Sequence, residues 1–315
     1  MDHTAILEAA RLILAGQLVA FPTETVYGLG ANAFDAAAIE RVYLAKHRPA
    51  SSPLIVHACS IEMVRGLVRA WPATAEQLSR AFWPGPLTLV LLKSAQVSDR
   101  LTAGLDTVAI RIPSHPLALE LIRAAGVPIA APSANLFSEL SPTTAEHVRQ
   151  SLGERVAMVL DGGPCEVGIE STVVSLAAKN AVLLRPGMIS QADLERVIGK
   201  VEVVAPGAVA AHPSPGMHPK HYSPKTLLVL VENGVLPAHG KGAYLWIREP
   251  AQAKAEHSVE MPIDPAGYAA DLYAVLHQVD AQGWDWIAVE RPPSGAIWAG
   301  ILDRLERAAA HPWAL

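Results

Sequence analysis

The chain has 315 residues, 51% of them apolar and 17% charged, with a formal charge of −5. Such a composition makes a packed globular protein with room for two domains and excludes a disordered one. A protein held mainly by neutralised phosphates would carry a basic excess or a Lys/Arg run; neither is present, so small ligands are expected ahead of bulk RNA or DNA.

Taken in chain order, Thr4 is placed to cap a first helix, with Ile6, Ala9, Leu12 and Ile13 at helical spacing up to Gly16. A strand follows at 18–22, and Asp35 caps a second helix running to about Lys46. PLIVHA (53–58) reads as a strand and 60–82 as helical. LTLVLLK (87–93) and TVAIRIP (107–113) are further strands, 115–125 is helical and PIAAP (128–132) is extended. TTAEHVRQSL (143–152) is helical, MVLDGG, STVVSL and AVLLRPG give three short strands, and 190–199 a further helix. Strands and helices intermix without strict β-α-β alternation. The expected fold is therefore α/β, a twisted open mixed sheet with flanking helices over residues 1–202.

Residues 203–225, rich in Pro, Gly, Ala and His, read as a linker. Beyond it TLLVLVE, AYLWI, a helix around 267–280, WIAVE and a final helix (297–310) make a smaller, Rossmann-like α/β domain, 226–315. Cys59 and Cys165 are too few for a disulfide framework and show no C-x-x-C spacing. The N-terminus carries no leader pattern, and apolar runs fall short of the roughly 20 residues that span a bilayer, so the cytoplasm is the expected compartment.

FPTETVYGLGANA (21–33) contains a G-x-G-x-x-A pattern. A dinucleotide fingerprint needs its first glycine directly after the strand, and an acidic residue about 20 positions on. Here PTETVY intervenes and Arg48 stands at the second place, so the match is read as coincidental. No Walker-type loop occurs. What remains is a polar segment in which Thr23, Glu24, Thr25 and Tyr27 offer hydroxyls and a carboxylate, either to a small ligand or to the turn itself. Lys46 and Arg48 close a helix, where cations complement the dipole unaided; running into a Pro/Ser loop, they equally suit a phosphate clamp. His57 ends an apolar strand, as a core histidine or a ligand. Arg111 and Arg185 lie in apolar strands, where a charge must be paired or must face an anion. PSANLFSELSPT (132–143) supplies Ser133, Asn135 and Ser141 after a strand, and DGGPCEVGIESTVVSL (161–176) supplies Glu170, Ser171 and Thr172.

Together, PTETVYGLGANA, K-x-RP…PLIVH, FWPGPLTLVL, T-VAIRIP-HP, PSAN…SPTTAEHV, DGGPCEVGIESTVV and LLRPG stand in an order that resembles the YrdC-like threonylcarbamoyl-AMP synthase family, over residues from about 10 to 190. SPGMHPKHYSP and the domain behind it resemble the family's long form. The resemblance implies condensation of L-threonine, bicarbonate and ATP, with Mg²⁺, into threonylcarbamoyl-adenylate and pyrophosphate. It further implies hand-over to the downstream tRNA threonylcarbamoyl transferase machinery, with direct tRNA binding weak or absent. It places Thr25, His57, Arg111, Ala131 and Ser171 at the threonine. Lys46, Arg48, Ser133 and Asn135 carry the catalysis and, with Ser52, Thr107, Ser141, Arg185, Tyr222 and His221, hold the ATP; the last two belong to a linker that closes as a flap. The chain departs from the family at Leu136-Phe137-Ser138-Glu139, where a basic glycine-containing stretch is common, and at Ser52, where Asn or His is frequent. An RNA-binding module of the same fold and a carbamoyl-adenylate-forming carbamoyltransferase are the alternatives. The linker histidines His212, His218 and His221 lack a recognisable ligand spacing, and no protein-held metal is expected.

Overall fold

The structure, a computed structural model, describes residues 3–203, 222–248 and 255–309. Helix α1 (His3–Leu14) buries Ile6, Ala9, Ala10 and Ile13, the i, i+3, i+4, i+7 stripe of an amphipathic helix. It already runs at His3, so Thr4 lies in its first turn and not at the cap. Strand β1 (Val19–Phe21) turns back antiparallel on β2 (Gly28–Asn32). The glycines of GLGAN are thus strand residues, which is why the dinucleotide pattern means nothing here. At Gly30 a Cβ would lie 2.9 Å from the Phe21 ring and 3.0 Å from the Val19 carbonyl, so only glycine lets the two strands close.

Asp35 accepts from the N–H groups of Ala37 and Ala38 and starts α2 (Ala36–Lys46), which ends at His47 in the left-handed region, φ 51°. After β3 (Ile55–His57), the helix expected over 60–82 divides into α3 (Ile61–Leu67) and α4 (Ala73–Phe82). Pro72 keeps Trp71 out of helical geometry, and Val68 instead bridges to Lys93. Then follow β4 (Leu87–Leu92), α5 (Asp99–Thr102), β5 (Thr107–Arg111), α6 (Pro116–Ala125), β6 (Ile129–Ala130), α7 (Ala145–Leu152) and β7 (Met158–Val159). β8 (Thr172–Ser175), β9 (Ala181–Arg185), α8 (Gln191–Ile198, opened by a Ser190–Asp193 capping box) and β10 (Val201–Val203) complete the region.

These strands form one ten-stranded mixed sheet, ordered β10-β9-β8-β4-β5-β3-β6-β2-β1-β7. Alternation along the strands sends Val19, Phe21 and Ile129 toward α1 and α6, while Ala20, Ala31, Val56 and Ala130 pack with Ile39 and Val42 of α2. Because β3 and β5 are parallel and in register, His57 stands beside Arg111. β9 runs antiparallel to β8, which brings Arg185 next to Val173 and hence to Ser171.

The second sheet is four-stranded and wholly parallel: β11 (Leu227–Val231), β12 (Gly242–Trp246), β13 (His257–Glu260) and β14 (Trp286–Glu290), ordered β11-β14-β12-β13. β13 has no counterpart among the expected strands; its HSVE is an edge strand that alternates between half-buried and exposed. Helices α9 (Pro265–Asp280) and α10 (Ala299–Ala308) dock this sheet onto the first region. Val26, Leu140, Ile169 and Tyr222 share one apolar cluster with Tyr268, Tyr273, Leu276, Trp298 and Ile301. The backbones nearly touch: a Cβ on Gly168 would meet the Ala269 carbonyl at 2.2 Å, and one on Gly300 would meet Gly187 Cα at 2.8 Å. No helix of the described residues is long and apolar enough to cross a membrane. Of the expected flap, only Val203 and residues 222–225 are described; His212, His218 and His221 lie outside the described residues.

Candidate active site

A cavity at the ends of β3, β5 and β9 is lined by Thr23, Thr25, Gly28, Arg48, His57, Arg111, Ala131, Ser133, Glu170, Ser171, Arg185 and Tyr222, among others. Not all strands reach it by their C-terminal ends, because the sheet is mixed: Ser171 enters it from the start of β8.

Arg111 closes β5 and is buried. Its Nε donates to the Gly85 carbonyl (3.2 Å), its Nη1 to Thr25 Oγ1 (2.7 Å), and its Nη2 lies 2.7 Å from Glu24 Oε1. Burial pushes the Glu24 carboxyl up, but Arg111 outweighs it and holds the group below its ordinary value. A carboxylate ligand would therefore meet the remaining N–H groups of Arg111, already aimed by Glu24 and Thr25. Beside it, His57 is pulled down to about 3 by burial and by the Arg111 charge, so the ring is neutral at neutral pH. Its Nδ1 has no hydrogen-bond partner among the described residues.

The second group of cations is fixed by backbone. Lys46, the last residue of α2, is buried and donates to the carbonyls of Ser133 (2.6 Å) and Asn135. Burial, then Arg48, depresses its pKa well below the lysine range. Arg48 donates from Nη2 to Ser52 Oγ (2.8 Å) and the Pro53 carbonyl (3.1 Å), and lies over the Phe137 ring at 5.7 Å. The Ser52 side chain thus serves to hold Arg48. Burial draws that guanidinium down to about 10, still charged at neutral pH. Asn135 Nδ2 donates to the Leu136 and Glu139 carbonyls, at 3.0 and 2.9 Å, which ties the PSAN loop together.

Ser171 and Arg185 form the third side. Arg185 donates to the Ser171 carbonyl (3.1 Å) and to its Oγ (3.2 Å), and Ser171 Oγ is 2.7 Å from Thr88 Oγ1. Glu170, one residue earlier, accepts from Ser141 Oγ (2.5 Å), Tyr273 (3.3 Å) and Arg304 Nε (2.6 Å). Tyr222 is buried with φ 61°, its ring 5.2 Å from the Arg304 guanidinium and 6.2 Å from Tyr273.

The fold therefore gathers Thr25, Arg48, His57, Arg111, Ala131, Ser133, Ser171, Arg185 and Tyr222 around one cavity, with Lys46, Ser52, Asn135 and Ser141 bonded to its walls. Thr107 is the exception. It opens β5, four residues or about 13 Å of strand from Arg111, pairs with Leu92 and does not line the cavity. Four residues that the sequence does not single out support the site: Thr88, Tyr273, Arg304, and His277, whose Nε2 lies 3.1 Å from the Ser141 carbonyl. Thr88 has a signal, a polar residue in the apolar run LTLVLL; the other three sit in the second domain with none.

Chemically, the cavity offers three guanidiniums, a neutral imidazole and hydroxyls. It holds no activated thiol nucleophile, since burial pushes the Cys165 thiol up to about 12 and raises Cys59. Among the described residues no group of three or more His, Cys, Asp and Glu is placed to hold a metal ion.

A two-domain α/β protein with a buried cationic cavity at mixed strand ends is built to bring small anions together. Residues 11–187 match the family model described as "Telomere recombination", the Sua5–YciO–YrdC family, and residues 189–310 match "Threonylcarbamoyl-AMP synthase, C-terminal domain"; the chain belongs to this family, in its two-domain form. It is 39% identical to the threonylcarbamoyl-AMP synthase of Pyrococcus abyssi, over 99% of this chain and 96% of that protein. With the Bacillus subtilis enzyme of the same name the identity is 43%, over 96% and 92%. Its fold is similar to the crystal structure of P. abyssi Sua5 complexed with L-threonine, at a TM-score of 0.89 and 38% identity, covering 96% of this chain and 94% of that one.

Proposed function

We propose that this chain is a threonylcarbamoyl-AMP synthase, which joins L-threonine, bicarbonate or CO2 and ATP into threonylcarbamoyl-adenylate and releases pyrophosphate. The observation that carries the reading is the single cavity into which Arg111, Arg48 and Arg185 all project beside Thr25, His57 and Ser171. The threonine amine takes up CO2 as a carbamate, and a carbamate oxygen attacks the α-phosphorus while pyrophosphate leaves. That sequence needs no side-chain nucleophile. It needs two anions held together and charge stabilised on phosphate oxygens.

Arg111, aimed by Glu24 and Thr25, takes the threonine carboxylate, with the neutral His57, Ala131 and Ser171 around the amino acid. Arg48 and Arg185 meet the phosphates, and Lys46 holds the Ser133–Asn135 loop against them. Mg²⁺ enters with ATP on its phosphate oxygens. Ser141, Tyr222 and the neighbouring His221 close the nucleotide side. Burial of the cations suits a small ligand enclosed from water and not a polyanion lying across a surface. The catalytic part spans 1–202, the linker 203–225 and the second domain 226–315; the enzyme works in the cytoplasm and hands its adenylate to a transferase acting on tRNA.

The test is pyrophosphate release from ATP with threonine and bicarbonate each omitted in turn. Release that requires both is expected. Release with neither would mean plain ATP hydrolysis and would end the reading.

A further inference from the structure

The second domain places one arginine inside the wall of the first domain's cavity. Arg304, on α10, is 1% exposed although the nearby Arg307 and Glu306 are not buried. Its Nε donates to Glu170 Oε2 (2.6 Å), its Nη2 to the Glu170 carbonyl (3.2 Å), and its Nη1 to the Pro186 carbonyl (3.0 Å) and Asp303 Oδ2 (2.7 Å). Glu170 immediately precedes Ser171, and Pro186 immediately follows Arg185. The arginine thus grips both chain segments that carry the Ser171–Arg185 side of the cavity. Gly300, one turn earlier, lies so close to Gly187 that a Cβ would approach its backbone to 2.8 Å, so α10 has no slack at this point.

Charge gives the contact its meaning. Glu170 lines the same cavity as Arg185. A buried carboxylate beside an anion site repels phosphate, and competes with it for any arginine within reach. Arg304 takes that carboxylate from the rear, with Ser141 and Tyr273 as further donors.

We propose that Arg304 is a positioning residue of the ATP site: by engaging Glu170 it keeps this carboxylate off Arg185 and off the phosphates, so that the second domain sets the charge of a cavity it does not itself line. This rests on the proposed synthase activity, and it assigns the second domain an electrostatic role beyond carrying the linker.

The experiment compares wild type, Arg304→Met and the double variant Arg304→Met/Glu170→Gln, in the full chain, by pyrophosphate release and by calorimetric titration with ATP. A thermal melt records folding for each. Arg304→Met releases the carboxylate, and KM for ATP and its Kd are expected to rise by about tenfold or more, with KM for threonine changing by less than about threefold. The double variant has no ion pair at all, yet it should recover most of the ATP affinity, because the offending charge is gone. A merely structural clamp predicts the opposite, a double variant no better than the single one, and that result would overturn the proposal. So would a folded Arg304→Met with unchanged ATP affinity. If Arg304→Met does not fold, Arg304→Lys against Arg304→Lys/Glu170→Gln reads the same contrast. Wild type that binds ATP but releases pyrophosphate without threonine would sink the synthase reading and leave the ATP titration to judge this one.

Discussion

The two sheets treat their strand ends differently. In the first, β3, β5 and β9 end at His57, Arg111 and Arg185, and all three face a common cavity. In the second, β14 ends at Glu290, whose carboxylate accepts from the N–H groups of Asn233 (2.7 Å) and Gly234 (3.1 Å) and from the Tyr244 hydroxyl (2.5 Å). The C-terminal edge of a parallel sheet is the usual ligand crevice, yet here the chain's own carboxylate occupies the place a ligand anion would take. At the opposite, N-terminal edge of the same sheet, Asp280 and Asp285 accept from the N–H groups of Thr226 (2.8 Å) and Lys241 (2.7 Å). A wholly parallel α/β sheet is thus compatible with a purely supporting role. What separates the two edges is the sign of the side chains, their burial, and whether backbone already satisfies them.

The largest effect that would break this contrast is at Arg111. Arg111→Ala removes the carboxylate anchor and leaves Glu24 buried without its partner. Pyrophosphate release should fall by on the order of a hundredfold or more, and stability by about 3–5 kcal/mol in chemical denaturation. Near-normal turnover in a folded variant would mean that the cationic edge is structural, like its counterpart.

Lys46→Met comes next. It keeps the bulk of the side chain but strips the donor from the Ser133 and Asn135 carbonyls, which costs about 1–3 kcal/mol. The PSAN loop then loosens beside Arg48, and kcat should drop by roughly tenfold to a hundredfold. Retained kcat with lowered stability would show that Lys46 only ties the loop and contributes nothing to turnover.

Glu290→Gln sharpens the other half of the comparison. The amide accepts less well from two backbone N–H groups and a tyrosine, and denaturation should report a loss of about 1–2 kcal/mol. Pyrophosphate release per folded molecule should stay at the wild-type value. A specific loss of activity would place a functional site on the second sheet after all.

How far the sequence itself shows this arrangement depends on the kind of force involved. Arg111 and Arg185 stand out because a charge in an apolar strand must have a reason, and the strands that carry them form where their apolar runs predict. Their immediate partners do not stand out. Lys46 is held by carbonyls nearly ninety residues away, and backbone oxygens leave no trace in composition. GLGAN is opaque for a different reason: glycines usually mark a turn, and only the packing of Phe21 and Ile129 against Gly30 turns them into strand residues. The break between α3 and α4 is legible at Pro72, although the apolar spacing on either side of it suggests one continuous helix. Arg304 is not legible at all, since ILDRLERA has the charge pattern of a solvated helix face, and burial there depends on which face meets the first domain.

The smallest effect sits where the two regions meet. His147 of α7 stacks on His277 of α9 with ring centroids 3.9 Å apart, and His277 Nε2 lies 3.1 Å from the Ser141 carbonyl. Burial, and after it the neighbouring His277, pulls His147 down to about 4. Burial also lowers His277, against the opposing pull of the Ser141 carbonyl, Asp280 and Glu139. In the unfolded chain histidine titrates near 6.5. Between about pH 6.5 and about pH 4 the unfolded state therefore binds more protons, so stability is full above that window and is lost as pH falls through it. His57, pulled down to about 3, adds to the same slope in the first domain. His147→Phe keeps a ring in the stack and removes one titration, so denaturation midpoints measured from pH 7.5 to pH 4.5 should fall less steeply than in wild type. Parallel curves would assign the acid sensitivity to His57 and the first sheet alone. A flattened curve would locate it at the joint, where two protonated rings in contact would push α9 away from Ser141 before either sheet gives way.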